Sequence, residues 1–156
     1  MDIFVRVINA FLMVALPLAL GVFLVNWLKV EWKIFGIGAA VFVASQVFHI
    51  PFNIWVLSPG IEKMGLSNSQ AGFGLAVIAI SYGLSAGIFE EVARFWAYQY
   101  WAKDTRNWPA GLMFGAGHGG IEAILLGALA AYGLIQALIY RNTDLASLVP
   151  AEQIEI

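Results

Sequence analysis

Residues 108–140 read WPAGLMFGAGHGGIEAILLGALAAYGLIQALIY, and this stretch sets the class of protein. It contains no lysine, arginine or aspartate, and it is longer than the roughly 18 apolar residues that indicate a membrane span. The stretch therefore predicts a transmembrane helix. It also raises a question, because His118 and Glu122 lie inside it and hydrocarbon is a poor environment for either side chain.

Three further stretches have the same apolar character and also exceed the length of a membrane span, namely residues 8–28, 34–57 and 71–101. The connections between the stretches are short and read KVEWK, SPGIEKMGLSNSQ and KDTRN. Short connections make neighbouring helices antiparallel. The sequence predicts an all-α, polytopic transmembrane helix bundle of about four spans, forming a single membrane domain over residues 1–156 with a polar C-terminal tail at 141–156.

The composition of the 156-residue chain supports a membrane protein. Hydrophobic residues make up 61% and charged residues only 12%, with a mean hydropathy of +0.81. A soluble domain has about 45–50% apolar and about 25% charged residues. A net charge of −2 with no basic run argues against a nucleic-acid partner, and the lack of cysteine excludes disulfides, thiol nucleophiles and thiolate metal sites.

The predicted location is the cell membrane, as a multi-pass protein of the bacterial plasma membrane. The first apolar stretch is too long for a signal peptide and has no small-residue cleavage site after it, so we expect a retained helix. The positive-inside rule favours an N-terminus outside the cell. Four basic residues lie on one side and three on the other: Lys29, Lys33, Lys103 and Arg106 against Arg6, Lys63 and Arg141.

The third span contains SAGIFEEVARFW, in which charged residues lie on one helical face. Successive helical residues turn by about 100°, so Gly83, Gly87, Glu90 and Arg94 share a narrow arc, with Glu91 at its edge. The Gly-x-x-x-Gly spacing favours close approach by another helix. We therefore expect Glu90 and Arg94 to face protein rather than lipid.

The fourth span repeats this pattern. Gly111, Gly115 and Gly119 form a double small-xxx-small motif, and His118 and Glu122 lie on nearly the same face. We interpret these three glycines, with Gly83 and Gly87 of the third span, as helix-packing residues. The histidine and glutamate would then point into the bundle at a close helix–helix contact, where Glu122 could orient His118 from one turn away.

The depths of the polar residues coincide. Glu90 and His118 each lie about 15 Å from the same membrane surface. The second span contains SQVFHIPFN, in which His49 and Asn53 are four residues apart and Pro51 introduces a kink between them. Each feature alone is also typical of an interfacial ion pair or a packing residue. Their occurrence together favours one shared polar site, because ionisable groups within a membrane are functional by default.

The residue types in this site suit hydrolysis by activated water. Two neighbouring carboxylates in a low dielectric do not both ionise easily, and Arg94 would hold one of them ionised. Such a carboxylate can take a proton from water, while an imidazole positions the water or protonates the leaving amine. Asn53 and a histidine can donate hydrogen bonds to an oxyanion. No serine lies beside a histidine as a nucleophile, and Arg94 supplies positive charge, so we expect neither a covalent route nor a metal or other cofactor.

The motifs EEVAR (90–94) and FGAGH (114–118) resemble the first two motifs of the CAAX-protease and bacteriocin-processing superfamily of glutamic intramembrane proteases. Together with SQVFHIPFN and GAGHGGIEAILLG they resemble the YhfC group of bacterial membrane endopeptidases. The resemblance implies that Glu90 activates water, that Glu91 and Arg94 complete its motif, and that His118 assists. It also implies a membrane protein or lipidated peptide as substrate, with the lipid bilayer as surroundings.

The chain departs from the superfamily pattern at two points. Only two residues separate Glu91 from Arg94, where the superfamily has three, and the His-x-x-x-Asn spacing of His49 and Asn53 precedes the glutamate motif instead of following it. Family members are longer, so we expect a C-terminally truncated member. Three other interpretations stay open: a non-catalytic scaffold subunit, a proton-coupled transporter, and a metalloprotease with zinc on His118, Glu122, His49 and Glu90.

Overall fold

The computed structural model describes residues 3–141 of the chain, and the described residues are almost entirely helical. The chain begins with α1 (Ile3–Leu28) and α2 (Trp32–Phe52). α2 continues through a π-helical turn (Asn53–Leu57) into the short α3 (Ser58–Lys63). Two long helices follow, α4 (Gly72–Tyr100) and α5 (Trp108–Tyr140), with a 3₁₀ turn (Lys103–Thr105) between them. The predicted all-α class is confirmed.

Within residues 3–141, four continuous helical segments are long and apolar enough to cross a membrane. The fourth matches the predicted span at both ends, whereas the second is longer than expected and runs from Trp32 to Lys63. The first part of the predicted loop after residue 57 is therefore helical. Pro59 lies in the first turn of α3, where its missing N–H is not needed by the helix. Of the predicted polar tail, residues 142–156 lie outside the described residues.

The helices pack around α2 and α5. α5 contacts α1 and α2 along much of its length, and α4 packs against α2. The buried core joins all four long helices near the connection between α4 and α5, and its members are Leu24, Ile34, Phe35, Val41, Ala97, Ala110, Met113 and Phe114. Much of the remaining surface is apolar, with large side chains such as Phe11, Trp55 and Phe73 exposed. Such a surface suits a bilayer rather than water.

Two glycines allow α2 and α5 to approach each other closely. A Cβ atom on Gly38 of α2 would collide with the backbone oxygen of Phe114, and one on Gly117 of α5 would collide with the backbone oxygen of Phe35. Each helix thus presents a glycine to a carbonyl of the other, a geometry that permits Cα–H···O contacts between helices. This crossing sets the position of His118, the residue after Gly117.

The five glycines predicted for helix packing make no close helix contact within residues 3–141. A Cβ atom on any of the five would meet no atom of the described residues within 4 Å: Gly83, Gly87, Gly111, Gly115 and Gly119. The face that α5 packs against α1 and α2 instead carries Gly117, Gly120 and Gly127. Several glycine sets at helical spacing overlap in α5, and their spacing does not reveal which set faces protein.

Pro51 is followed by an irregular turn, as its position in α2 suggested. The backbone widens into the π-helical turn of residues 53–57, in which the N–H of Ser58 donates to the carbonyl of Asn53. The hydroxyl of Ser58 donates to the same carbonyl over 2.7 Å. A proline lacks the N–H of a regular helix, and a π-type turn is a common way to absorb such a disturbance. The turn aligns Asn53 with α4, as described below.

Candidate active site

Glu90 of α4 and His118 of α5 meet between the two helices. Nε2 of His118 lies 3.3 Å from Oε2 of Glu90. The histidine side chain is 9% exposed and that of the glutamate is 22% exposed. The similar membrane depths of Glu90 and His118 predicted this pair, and the structure contains it. The two helices otherwise make little contact with each other.

Arg94 links the two neighbouring glutamates. Its Nη2 atom lies 2.8 Å from Oε1 of Glu91 and 3.9 Å from Oε2 of Glu90. Glu91 is much more exposed than Glu90, at 70% of its side chain. Arg94 is therefore primarily the ion-pair partner of Glu91. Glu90 is the more enclosed carboxylate and the one that touches the histidine.

Aromatic rings hold His118 in place. The ring of Phe42 stands edge-on to the imidazole at 5.3 Å between centroids, and Phe114 stacks on it at 6.3 Å. Tyr98 of α4 packs on Phe114 at 4.8 Å, which closes one end of the site. These contacts fix the imidazole plane and turn its Nε2 atom toward Glu90.

A cleft of about 650 Å³ lies beside this pair, between α4 and α5. Its residues from α4 are Glu91, Arg94, Phe95 and Tyr98, and those from α5 are Gly111, Phe114, Gly115, His118 and Gly119. Two buried polar atoms of its lining have no hydrogen-bond partner among the described residues, Nδ1 of His118 and Nε of Arg94. The cleft has the size of a ligand pocket. Both unpartnered atoms are buried, with almost no accessible surface of their own.

His49 and Asn53 belong to a separate hydrogen-bonded network. Nε2 of His49 lies 2.8 Å from the amide nitrogen of Asn53, and Nδ1 lies 3.0 Å from Oε1 of Gln46. Ser85 of α4 donates to Oδ1 of Asn53 over 2.9 Å. Because an amide nitrogen only donates, Nε2 of His49 accepts from Asn53, and its Nδ1–H donates to Gln46.

The structure therefore divides the predicted site into two parts. Among the described residues, no hydrogen bond or ion pair joins His49 or Asn53 to Glu90 or His118. The two parts lie near each other, since the ring of His49 packs at 5.6 Å from that of Phe89, the residue before Glu90.

Glu122 does not orient His118 in the structure. It lies one turn further along α5, is exposed, and makes no hydrogen bond to the histidine, whose Nδ1 is unpartnered. Gln46 and Ser85 were not among the predicted site residues. Both are polar residues within apolar spans, and Gln46 lies three residues before His49, so these features could have identified them as candidates.

The described residues do not fit a zinc site as they are arranged. Among them, no group of three histidine, cysteine, aspartate or glutamate side chains is placed to hold a metal ion. Catalytic zinc takes three protein ligands. Glu90 and His118 would supply two, whereas His49 uses both ring nitrogens in hydrogen bonds and Glu122 is exposed. The expectation of a metal-free site stays a prediction.

Comparisons with known proteins agree with the motifs. A family model described as "YhfC intramembrane metalloprotease" matches residues 12–155. The "Uncharacterized membrane protein YhfC" of Bacillus subtilis (strain 168) is 35% identical over 127 residues, an alignment that covers 78% of this chain and 47% of that protein. The chain thus spans about half the length of that relative. No solved structure matches this chain.

Proposed function

The chain belongs to the YhfC family, and we propose that it is an intramembrane endopeptidase in which Glu90 activates water to hydrolyse peptide bonds of membrane-associated substrates. The family's description suggests a membrane protease. The observation that carries the glutamate mechanism is the contact of 3.3 Å between Glu90 and His118 beside the cleft. We further propose that the protein lies in the bacterial plasma membrane as a multi-pass protein.

The proposed reaction uses the two groups in sequence. Glu90 takes a proton from a water molecule whose oxygen attacks the carbonyl carbon of the scissile bond. His118 relays this proton from the Glu90 carboxyl to the amide nitrogen, and the C–N bond breaks as the amine leaves. The carboxylate of Glu90 is then restored, so no cofactor is consumed. A positioned acid–base pair of this kind contributes roughly 10²–10⁴-fold to a rate.

Arg94 and the second network would support this reaction. The guanidinium of Arg94 stabilises the negative charge of both glutamates. A catalytic role for Glu91 beyond this pairing, and oxyanion binding by His49 and Asn53, stay predictions. In the structure one N–H of the Asn53 amide donates to His49, and the second N–H is the one that would donate to an oxyanion.

The family's description favours a second mechanism, in which a metal ion activates the water. Glu90 and His118 would be two of its ligands, but the described residues supply no third. The guanidinium of Arg94, 3.9 Å from Oε2 of Glu90, would also oppose a cation at that oxygen. For these reasons we favour the glutamate mechanism.

The substitution Glu90→Gln tests the proposal. It keeps the shape and polarity of the side chain but removes the basic carboxylate, so we expect the rate of cleavage to fall about 100-fold or more. The assay uses the complete protein in liposomes with a pool of single-span peptides whose central residues are randomised, and products are read by mass spectrometry.

The matched control is Glu91→Gln, which changes an exposed carboxylate with no contact to His118 and should reduce the rate less. A Glu90→Gln protein that folds and cleaves at the wild-type rate would contradict the proposal. Stoichiometric zinc in the purified protein, with activity lost on chelation, would replace it with the metal mechanism.

A further inference from the structure

A polar pocket of about 340 Å³ lies at the end of the bundle where the connection after α1 meets the connection before α5. Lys29, Glu31 and Lys33 line it from one side, and Trp101 and Asn107 line it from the other. No ion pair joins either lysine to an acidic side chain that the structure describes. Two lysines against one glutamate therefore leave the pocket with a net positive charge.

The backbone at Lys29 indicates a use for this side chain. Lys29 follows the last residue of α1 with a φ of 55°, and it is the one non-glycine residue of the described chain with a positive φ. Glycine is the usual residue at such a helix end, because a Cβ atom makes the left-handed conformation unfavourable. Backbone strain of this kind is typical of functional positions.

An apolar groove of about 480 Å³ between α2 and α4 continues from the same place. Trp101 lines both the pocket and the groove, and Ile37 of the pocket lies one turn of α2 before Val41 of the groove. The groove then extends along α2 to Phe48 and along α4 to Phe89. The two cavities thus form one continuous amphipathic surface, which is basic at its outer end and apolar along its length.

The length of this surface matches one leaflet of a bilayer. Lys33 and Phe48 both lie in α2 and are separated by about 22 Å at the helical rise of about 1.5 Å per residue. One leaflet with its head groups measures about 20–22 Å, which is half of the total thickness of about 40–45 Å. With Phe48 near the midplane, the lysines lie at the level of the head groups, where aromatic residues such as Tyr100 and Trp101 are also common.

We propose that this surface binds one anionic phospholipid, with its phosphate between Lys29 and Lys33 and an acyl chain in the groove between α2 and α4. Ammonium groups form charge-assisted hydrogen bonds to phosphate oxygens. Basic pockets between membrane helices on the cytoplasmic side bind anionic head groups, and the basic residues of the loops predict that this side is cytoplasmic. The inference does not depend on the proposed peptidase function.

The lysines are tested with phosphatidylglycerol, titrated into the complete protein in detergent micelles and detected by native mass spectrometry. We expect Lys29→Gln and Lys33→Gln each to weaken binding about fivefold, which is the contribution of one lysine near an anionic lipid surface. Phosphatidylcholine, which has no net charge, should bind equally to the wild type and to the variant with both substitutions.

The matched control is Lys63→Gln, which removes the same charge from an exposed lysine at the other end of the same helical segment. It should leave the affinity for phosphatidylglycerol within about twofold of wild type. Lys33 lies in regular helix, so Lys33→Gln tests the charge even if a change at Lys29 alters the turn. Thermal unfolding without added lipid checks that each variant folds. An equal loss for Lys63→Gln and the pocket variants would overturn the proposal.

A phosphatidylglycerol that carries a diazirine in its acyl chain locates the tail. A trace of this probe is photolysed in phosphatidylcholine nanodiscs that contain the complete protein, and crosslinked peptides are identified by mass spectrometry. We expect crosslinks enriched near Phe48 and Trp96, lost when both pocket lysines are replaced by glutamine and kept in Lys63→Gln. Crosslinks spread evenly over the four long helices would overturn the proposal. Equal affinity for glycerol 3-phosphate, which has the phosphate but no acyl chain, would do the same.

Discussion

His118 connects the two helices that carry the candidate site. Its Nε2 atom contacts Glu90, and its ring is held between Phe42 and Phe114, while its Nδ1 atom has no partner among the described residues. A histidine placed only for packing would leave fewer hydrogen-bonding atoms unused, because burying an unpaired nitrogen costs free energy. We therefore expect His118 to act in the proposed reaction and not only in packing.

The substitution His118→Ala should reduce cleavage about 100-fold or more, as we expect for Glu90→Gln, because both groups would act on the same proton in the proposed reaction. Glu122→Gln should leave the rate within about threefold of wild type, since Glu122 is exposed and makes no hydrogen bond to His118. Initial rates on the randomised peptides measure both effects, with thermal unfolding as the check on folding. A loss for Glu122→Gln as large as that for His118→Ala would show that the exposed carboxylate takes part in the reaction.

The contact between α2 and α5 positions the histidine half of the site. Because Gly38 and Gly117 place each helix against a carbonyl of the other, the two helices have little freedom to rotate. The hydrogen bond from Ser85 to Asn53 similarly ties α4 to the π-helical turn after α2. α2 is thus the common support for both helices that carry catalytic candidates.

Gly117→Ala should therefore destabilise the protein, by about 1–3 kcal/mol, because its methyl group would collide with the backbone of α2. Gly133→Ala on the same helix should be neutral or stabilising by up to about 1 kcal/mol, since its methyl group meets open space. Thermal unfolding in detergent micelles, followed by circular dichroism, compares the two. Equal unfolding temperatures for both variants would mean that the close approach of α2 and α5 does not exist in the membrane protein.

The orientation of the bundle in the membrane stays a prediction from the basic residues of its loops. Basic residues favour the connection after α1 inside the cell and the connection before α4 outside. We expect Ser67→Cys, in the outer connection, to react with a membrane-impermeant maleimide in intact cells. Glu31→Cys, in the connection after α1, should react only after the membrane is opened. Both positions are exposed, so accessibility to solvent does not bias the comparison. The opposite labelling pattern would show that the N-terminus lies inside the cell, contrary to the prediction.

The number of membrane helices and the depth of the candidate site could be predicted from the sequence alone. Length and hydropathy predicted four membrane helices, because crossing hydrocarbon requires a minimum apolar length wherever the helix later packs. Depth along the spans predicted that Glu90 and His118 would meet, since antiparallel helices joined by a short loop keep equal depths together. These inferences needed only the rise per residue of a helix.

The rotation of each helix about its axis depended on the assembled bundle. Lipid tails and the protein core are both apolar, so an apolar face does not indicate whether it meets lipid or another helix. For this reason the sequence suggested packing for Gly115, which instead lines the cleft, and did not single out Gly117, which contacts α2. His49 likewise pairs with Gln46 and Asn53 and not with Glu90. The rotation of α2 about its axis and the irregular turn after Pro51 determine this pairing. Spacing indicates which residues share a face, but packing determines what that face contacts.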